Sequence, residues 1–369
     1  MGRYIIRHTL KIDFIGLRKL AYGVSAVAIL IGLASLVVKG GPQYGIDFAG
    51  GATVQIKFDK PISDEDLKRS LDGSALPGLV VQQFDSEGLT YLLRISSVEE
   101  NSSGITKSVN DALQASLGGA TYEIQRLEMV GPKVGADLRA QAVEAMYYAI
   151  LLIAIYISGR FEKRWFTAAF ITCALGGMMF GLGYIGLNKM ILVLAAILLT
   201  MFLCWKFRLI FALGAIISIL HDVLITVGIF SLLNKEFDLT IIAALLTLVG
   251  YSLNDTIIVY DRIRENLTND TVTPLGDVIN GSINQTLSRT ILTSGTTLFV
   301  IISLLLFGGG IIFDFALVMF IGVIVGTASS IFVASPVLLT FSQYIDRESF
   351  RVKKDTRARD EDGRVAAQV

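Results

Sequence analysis

What most constrains this chain is a series of uninterrupted apolar runs, each long enough to cross a bilayer. A spanning helix needs about 20 apolar residues, because inside hydrocarbon every backbone N–H and C=O must be bonded within the segment itself. Residues 20–38 form the first run, and others occupy 141–158, 165–187, 190–205, 209–232, 239–260, 287–307 and 315–341. They predict about eight spans and, as fold class, a polytopic α-helical membrane protein. Composition follows: 53% of residues are hydrophobic and 17% charged, where a soluble domain carries about 25% charge. The 32 basic and 32 acidic residues cancel to zero net charge, which argues against a nucleic-acid binder.

The basic residues set an orientation. Arg160, Lys163, Arg164, Lys206, Arg208, Arg262, Arg264, Arg347, Arg351, Lys353 and Lys354 fall on one side of the predicted spans, while Lys189 and Lys235 stand alone opposite. The positive-inside bias makes the first side cytoplasmic, with both termini and the loop 261–286 on it. Leu275, Val278, Ile279 and Ile283 in that loop suggest an amphipathic helix lying on the membrane surface. A cleaved signal peptide is the alternative for residues 20–38, but the run is long and ends in Lys39-Gly40-Gly41-Pro42, so an uncleaved anchor is expected.

Between residues 40 and 133 the pattern turns soluble. Val54, Ile56 and Phe58 alternate with Gln55 and Lys57 as a half-buried strand. Ser63 three residues before Asp66 reads as a helix cap, with Leu67 and Leu71 as the apolar face. Strands at 79–84 and 90–95 join at Asp85-Ser86-Glu87-Gly88. Ile105, Val109, Leu113 and Leu117 repeat as a helix, and 121–129 closes the set as a strand. The order βαββαβ is that of a ferredoxin-like domain, which must lie outside the cell membrane.

Within the spans, charge is expensive, at least about 2.5 kcal/mol for a residue at the bilayer centre. Asp222, Asp255 and Arg289 therefore need a reason. Asp255 and Arg289 are expected at similar depth on neighbouring antiparallel helices, where they are able to pair. Ser252, Asn254, Thr256, Ser288, Thr290, Thr293, Ser294, Thr296 and Thr297 surround them with polar groups suited to a hydrated path. The alternative is a structural ion pair that fixes helix register and never titrates. His221 and Asp222 are adjacent, about 100° apart on a helix, so no bond between them is expected and Asp222 is placed as a supporting polar residue. Gly177-x-x-x-Gly181 and Gly322-x-x-x-Gly326 permit close packing, with little functional weight.

Other chemistries lack their residues. Cys173 and Cys204 both lie in apolar runs, His8 and His221 are far apart, and no P-loop is present. No metal, no cofactor and no ATPase activity are expected. An intramembrane hydrolase would need a histidine near a serine or paired intramembrane aspartates of the protease type, and neither is read from the sequence.

Tyr44-Gly45-Ile46-Asp47-Phe48-Ala49-Gly50-Gly51, Gly131-Pro132-Lys133-Val134-Gly135, His221-Asp222-Val223, Gly250-Tyr251-Ser252-Leu253-Asn254-Asp255-Thr256, Asp261-Arg262-Ile263-Arg264-Glu265-Asn266 and Leu287-Ser288-Arg289-Thr290 together resemble the SecD/SecF family of bacterial protein-export subunits, on the SecF side. The resemblance implies membership of the resistance-nodulation-division (RND) superfamily and partners in SecD and the SecYEG channel, with SecA and other accessory subunits. It implies use of the proton or sodium gradient to promote late export of a preprotein across the inner membrane, with Asp255 and Arg289 as ion-coupling residues opposite an acidic site on SecD. A small-molecule exporter of the RND class is the alternative, for which a domain of about 90 residues is small. The family pattern has six spans, so residues 163–206 read as an added hairpin with a peripheral packing or partner-binding role. The expected division is a cytoplasmic start and first span at 1–39, a periplasmic domain at 40–133, the bundle at 134–345 and a cytoplasmic tail at 346–369.

Overall fold

The computed structural model describes residues 12–71, 76–84, 88–96, 102–117, 121–184, 189–270 and 272–344. The turn residues Asp85, Ser86 and Glu87 and the tail 346–369 lie outside them, as do the basic residues of the first eleven positions. The first helix, α1 (Arg18–Val38), is followed by a single helical turn, α2 (Ile46–Ala49), and then by β1 (Gly51–Phe58), α3 (Asp64–Leu71), β2 (Val80–Gln83), β3 (Thr90–Ile95), α4 (Ser102–Leu117) and β4 (Tyr122–Val130).

The strands form one sheet in the order β2-β3-β1-β4, all neighbours antiparallel. This is the ferredoxin-like arrangement expected from the alternating pattern. Val54, Ile56 and Phe58 point to one face and are buried with Leu67, Leu71, Ile105, Val109 and Leu113 of the two helices. Ser63 caps α3, accepting from the Asp66 N–H at 3.1 Å and donating to the Asp66 carboxylate at 2.7 Å. The other face carries Thr53, Gln55, Arg94, Arg126 and Glu128, which line a cavity of about 260 Å³ against Asp47, Asp238 and Thr240.

The rest is a helical bundle: α5 (Pro132–Ile157), α6 (Trp165–Tyr184), α7 (Lys189–Lys206), α8 (Ile210–Leu232), α9 (Leu239–Asn269), α10 (Leu275–Phe307), α11 (Gly309–Ser329) and α12 (Ser335–Thr340). Among the described residues seven helices are long and apolar enough to cross a membrane, and α7 is a shorter apolar helix. A π-helical turn, Ser330–Ala334, joins α11 to α12.

Two sequence expectations change. The loop 261–286 is mostly helix: α9 and α10, 31 and 33 residues long, run about 46 and 50 Å and overshoot a bilayer core of about 30 Å. Val278, Ile279 and Ile283 do not lie on a membrane surface but are buried with Ile263 and Leu267. Their apolar face has a protein partner, since Asn280 and Asn284 bind the backbone of Ile12 and Phe14 and dock that segment beside them. The glycine spacings also separate. A Cβ on Gly326 would sit 2.9 Å from the Ser252 Cβ, and one on Gly322 would meet the Leu248 side chain, so both are true close approaches of α11 to α9. Gly177 and Gly181 face open space. A pair the spacing rule misses, Gly32 with Gly228, lets α1 and α8 cross with 2.7 Å between a built Cβ and the facing Cα.

The added hairpin is α6 and α7, which pack on α5 through Ile171, Leu175, Leu192 and Ala196 in the shared core. Lys163 and Arg208, both left-handed at φ 56° and 58°, bracket it. The chain on either side is already stitched together. Glu162 accepts from the Phe211 N–H at 2.9 Å, and Phe161 stacks on Phe211 at 5.3 Å with Tyr260 edge-on to both.

Candidate functional site

Among the described residues the bundle interior holds two buried carboxylates, Asp255 and Asp222. Asp255 projects from α9 and is 2% exposed. Ser294 of α10 donates to it at 3.1 Å, and the Ser294 hydroxyl meets that of Thr327 on α11 at 2.7 Å. Arg289 is exposed and forms no ion pair with Asp255 among the described residues. Five residues separate it from Ser294, a rotation of about 140° on a helix, so Ser294 bonds Asp255 while Arg289 acts on it only through space. The anticipated contact pair is therefore open in this conformation.

Asp222, placed from sequence as a supporting residue, is the better-connected carboxylate. It is 1% exposed near the middle of α8. Ser252 of α9 donates to its Oδ2 at 2.5 Å and Ser329 of α11 donates to the same oxygen at 2.8 Å. Ser218 and Ser329 hydroxyls lie 2.9 Å apart. The expectation that His221 and Asp222 do not bond is wrong: Nδ1 lies 2.8 Å from Oδ1. The two Cβ directions do diverge, but an imidazole is long enough to reach back across that angle to a carboxylate on the next residue. His221 Nε2 lies 2.8 Å from the Ser25 hydroxyl of α1.

A serine beside a histidine beside an aspartate bears on the hydrolase reading, which the sequence set aside for want of a histidine near a serine. Ser25 sits inside the helical ladder of α1, where backbone N–H groups are bonded within the helix. An acyl-transfer site needs donors aimed at a developing oxyanion, and the described residues here present none.

The other predicted polar residues divide. Thr256 is buried and donates to the Ser252 carbonyl at 3.4 Å, and Thr293 bonds carbonyls of its own helix at 3.0 Å. Asn254 and Ser288 are exposed. Sequence reasoning missed Ser25, Ser218, Thr327 and Ser329. A usable signal was the run Gly326-Thr327-Ala328-Ser329-Ser330, a patch of small and hydroxyl residues inside an apolar span.

α9 also links this interior to the sheet domain. Its first N–H groups are held by two carboxylates: Asp238 accepts from Ile241 at 2.8 Å and Asp47 of α2 accepts from Leu239 at 3.0 Å. Gly45 donates to the Phe237 carbonyl at 2.8 Å. The chain then enters β1 through Gly50 and Gly51, at φ +78° and +127°. A Cβ on Gly51 would sit 2.4 Å from the Ile95 carbonyl and one on Gly50 2.8 Å from Pro132 Cα, so both positions require glycine. Arg94 of β3 pairs with Glu236, and Lys235 pairs with Asp314 at 2.6 Å, closing the same joint.

Residues 109–187 and 183–344 match the family model described as "Protein export membrane protein SecD/SecF, C-terminal", and residues 34–62 match the "SecD/SecF GG Motif". The protein translocase subunit SecF of Magnetococcus marinus is 41% identical over 329 residues, covering 89% of this chain and 91% of that one. The SecF subunit of Desulfurispirillum indicum is 38% identical over 338 residues, with 89% and 91% covered. The crystal structure of SecDF, a translocon-associated membrane protein from Thermus thermophilus, superposes with a TM-score of 0.67 at 30% identity. That match covers 92% of this chain and 40% of the SecDF chain, so the chain spans about two fifths of that longer protein.

Proposed function

The chain belongs to the SecD/SecF protein-export family, and from that premise we propose that it couples the passage of a proton or sodium ion near Asp255 and Arg289 to the movement of a preprotein. It is an accessory subunit of the Sec translocase, acting in protein export with SecD. The finer reading places it in the bacterial inner membrane with both termini cytoplasmic, next to SecYEG and downstream of the push from SecA. The reading calls for no nucleotide-hydrolysing site.

The observation that carries this reading is the exposed polar face of α9 and α10. Asn254 of α9, the helix that carries Asp255, and Ser288, Arg289 and Thr296 of α10 lie on the bundle surface. An arginine turned toward lipid costs at least about 2.5 kcal/mol, so a neighbouring bundle with an acidic residue is the natural cover. SecD supplies such a surface in this reading. Asp255 then exchanges an ion at the seam, alternating between its Ser294 bond and a closer approach to Arg289.

Transmission runs along α9. Sixteen residues, about 24 Å of helix, separate Asp255 from Leu239, whose N–H is held by Asp47 of the segment leading into β1. A shift of α9 therefore pulls on the sheet domain that faces the emerging preprotein. The test is Asp255→Asn, which keeps the size of the side chain and its bond from Ser294 but not its charge. Gradient-stimulated completion of export in inverted vesicles falls to the level seen without a gradient; stimulation at the wild-type level refutes the coupling role. Replacing the proton gradient with a sodium gradient in the same assay identifies the ion.

A further inference from the structure

We propose that the cleft between α1 and α8 binds one anionic phospholipid, with an acyl chain in the cleft and the phosphate held by Arg18 and Lys206. The site takes its lipid from the leaflet at that end of the helices and does not depend on the ion-coupled reading above.

A single crossing shapes the cleft. At Gly32 and Gly228, α1 and α8 touch backbone to backbone, so no gap exists there. Toward the start of α1 the two helices part around a cavity of about 520 Å³, with Met201 of α7 and Val337 of α12 among its walls. Ile29 of α1 and Leu220 and Leu224 of α8 line its depth. Two polar side chains lie deeper in it, Ser25 and His221. They are 2.8 Å apart and bond each other in either ring tautomer, so neither asks for a polar ligand. The remaining wall is apolar, and on the flank of spanning helices it meets hydrocarbon rather than water.

Length selects the occupant. The α1 wall runs from Tyr22 to Ile29, a rise of about 10 Å, which fits inside one half of a bilayer core of about 30 Å. A partner helix crossing the membrane needs a seam along its whole length. Here the Gly32–Gly228 contact ends the seam one turn beyond Ile29. An acyl chain entering from one leaflet needs only that depth.

Charge selects the head group. Tyr22 and Thr340 stand at the open end of the cleft, and Arg18 faces Tyr22 from one turn earlier on α1. α7 runs the opposite way, so Lys206, about 8 Å of helix beyond Met201, arrives at the same end, within reach of a lysine that extends toward the interface. Arg18 donates from Nη1 to the Ile15 carbonyl at 2.7 Å. Neither Arg18 nor Lys206 forms an ion pair among the described residues. Asp13, the acid nearest Arg18 in sequence, is occupied by the Gly16 N–H at 2.7 Å. Basic clefts between spanning helices suit anionic head groups, whereas a zwitterionic lipid brings its own cation and gains less.

Native mass spectrometry of the full-length chain, released from micelles with equal amounts of phosphatidylglycerol and phosphatidylcholine, tests the site. One phosphatidylglycerol is expected to stay bound in preference. Arg18→Gln and Lys206→Gln each lower that preference about fivefold, the worth of one charge at a membrane surface. Arg262→Gln removes an equal charge from α9, which does not line the cleft, and leaves the preference unchanged. Ala26→Trp, at an exposed position of the cleft wall, fills the acyl-chain seat and releases the lipid, while excess inorganic phosphate does not displace it. The site is overturned by equal retention of the two lipids, by an Arg262→Gln loss as large as the other two, by full retention in Ala26→Trp, or by displacement with phosphate. If Ala26→Trp does not fold, a benzophenone at Ala26 in native membranes decides the occupant: capture of lipid supports the site, and capture of a protein segment assigns the cleft to a partner and overturns it. None of these results alters the Asp255 export assay.

Discussion

Asp238 precedes α9, capping it through the Ile241 N–H at 2.8 Å while Asp47 holds the Leu239 N–H beside it. Burial raises its carboxyl above the ordinary aspartate range, opposed by the Ile241 bond. A carboxyl that holds its proton more tightly folded than unfolded is neutral and cost-free at low pH. The folded state takes on the cost of a buried charge as pH rises from the ordinary toward the raised value. Asn caps as well as Asp, so Asp238→Asn is expected to melt at or above the wild-type temperature at neutral pH, with the gain vanishing toward about pH 4. Thermal melts across that range check it; a mutant that instead loses stability as pH rises shows that attraction to Arg94 dominates. At this scale Asp222, Asp255 and Arg289 were legible from cost alone, since a charge inside an apolar run is expensive wherever it falls. Their partners were not: Ser329 is 107 residues from Asp222, and Ser25 is 196 from His221.

Helix contacts set the next level. Gly326 lets α11 approach Ser252 so closely that a Cβ would sit 2.9 Å from the Ser252 Cβ. Gly326→Leu is expected to cost about 1–3 kcal/mol through overpacking and to disturb the Asp222 bonds with it, read as a lower melting temperature and reduced export together. Wild-type behaviour shows that the crossing tolerates side chains. The hairpin α6–α7 makes the opposite prediction. Glu162 and Phe161 already meet Phe211 across its base, so replacing residues 163–206 with a short Gly/Ser linker leaves a bundle that inserts and folds. Some stability is lost from the Ile171, Leu175, Leu192 and Ala196 contacts on α5. Protease resistance and yield in membranes test this; a deletion that never accumulates refutes it. The spans and the βαββαβ order were readable because their burial periods, 3.6 and 2, are local properties of sequence. The continuation of α9 and α10 past the bilayer was not. A half-apolar helix suits a membrane surface as well as a protein groove, and the groove here is made by Asn280, Asn284 and the Ile12–Phe14 backbone.

Across the whole molecule, the sheet domain and the bundle meet at one charged joint, where Arg94 pairs with Glu236 and Lys235 with Asp314 beside the Asp47 and Asp238 caps of α9. Burial lowers the Arg94 guanidinium below its usual value, with Asp238, Asp314 and Asp47 opposing that shift. Glu236→Ala is expected to loosen the joint by about 1–3 kcal/mol, since Arg94 loses its partner while partly buried. Faster hydrogen exchange in β3 and at the start of α9 reports it. The exchange of charges, Arg94→Glu with Glu236→Arg, restores protection if the pair itself holds the joint; failure to restore it assigns the joint to the backbone contacts of Gly45 and Phe237. By itself the sequence determined that this is a membrane bundle with a ferredoxin-like domain, and which charges inside it demand explanation, because hydrophobic periodicity and the cost of a buried charge are set residue by residue. Only the tertiary structure decided that Asp222 rather than Asp255 is the more densely bonded carboxylate, that Arg289 stands exposed on the bundle surface, and that His221 faces Ser25. Those facts depend on which helices cross and at what rotation, and glycine contacts between residues far apart in the chain set both.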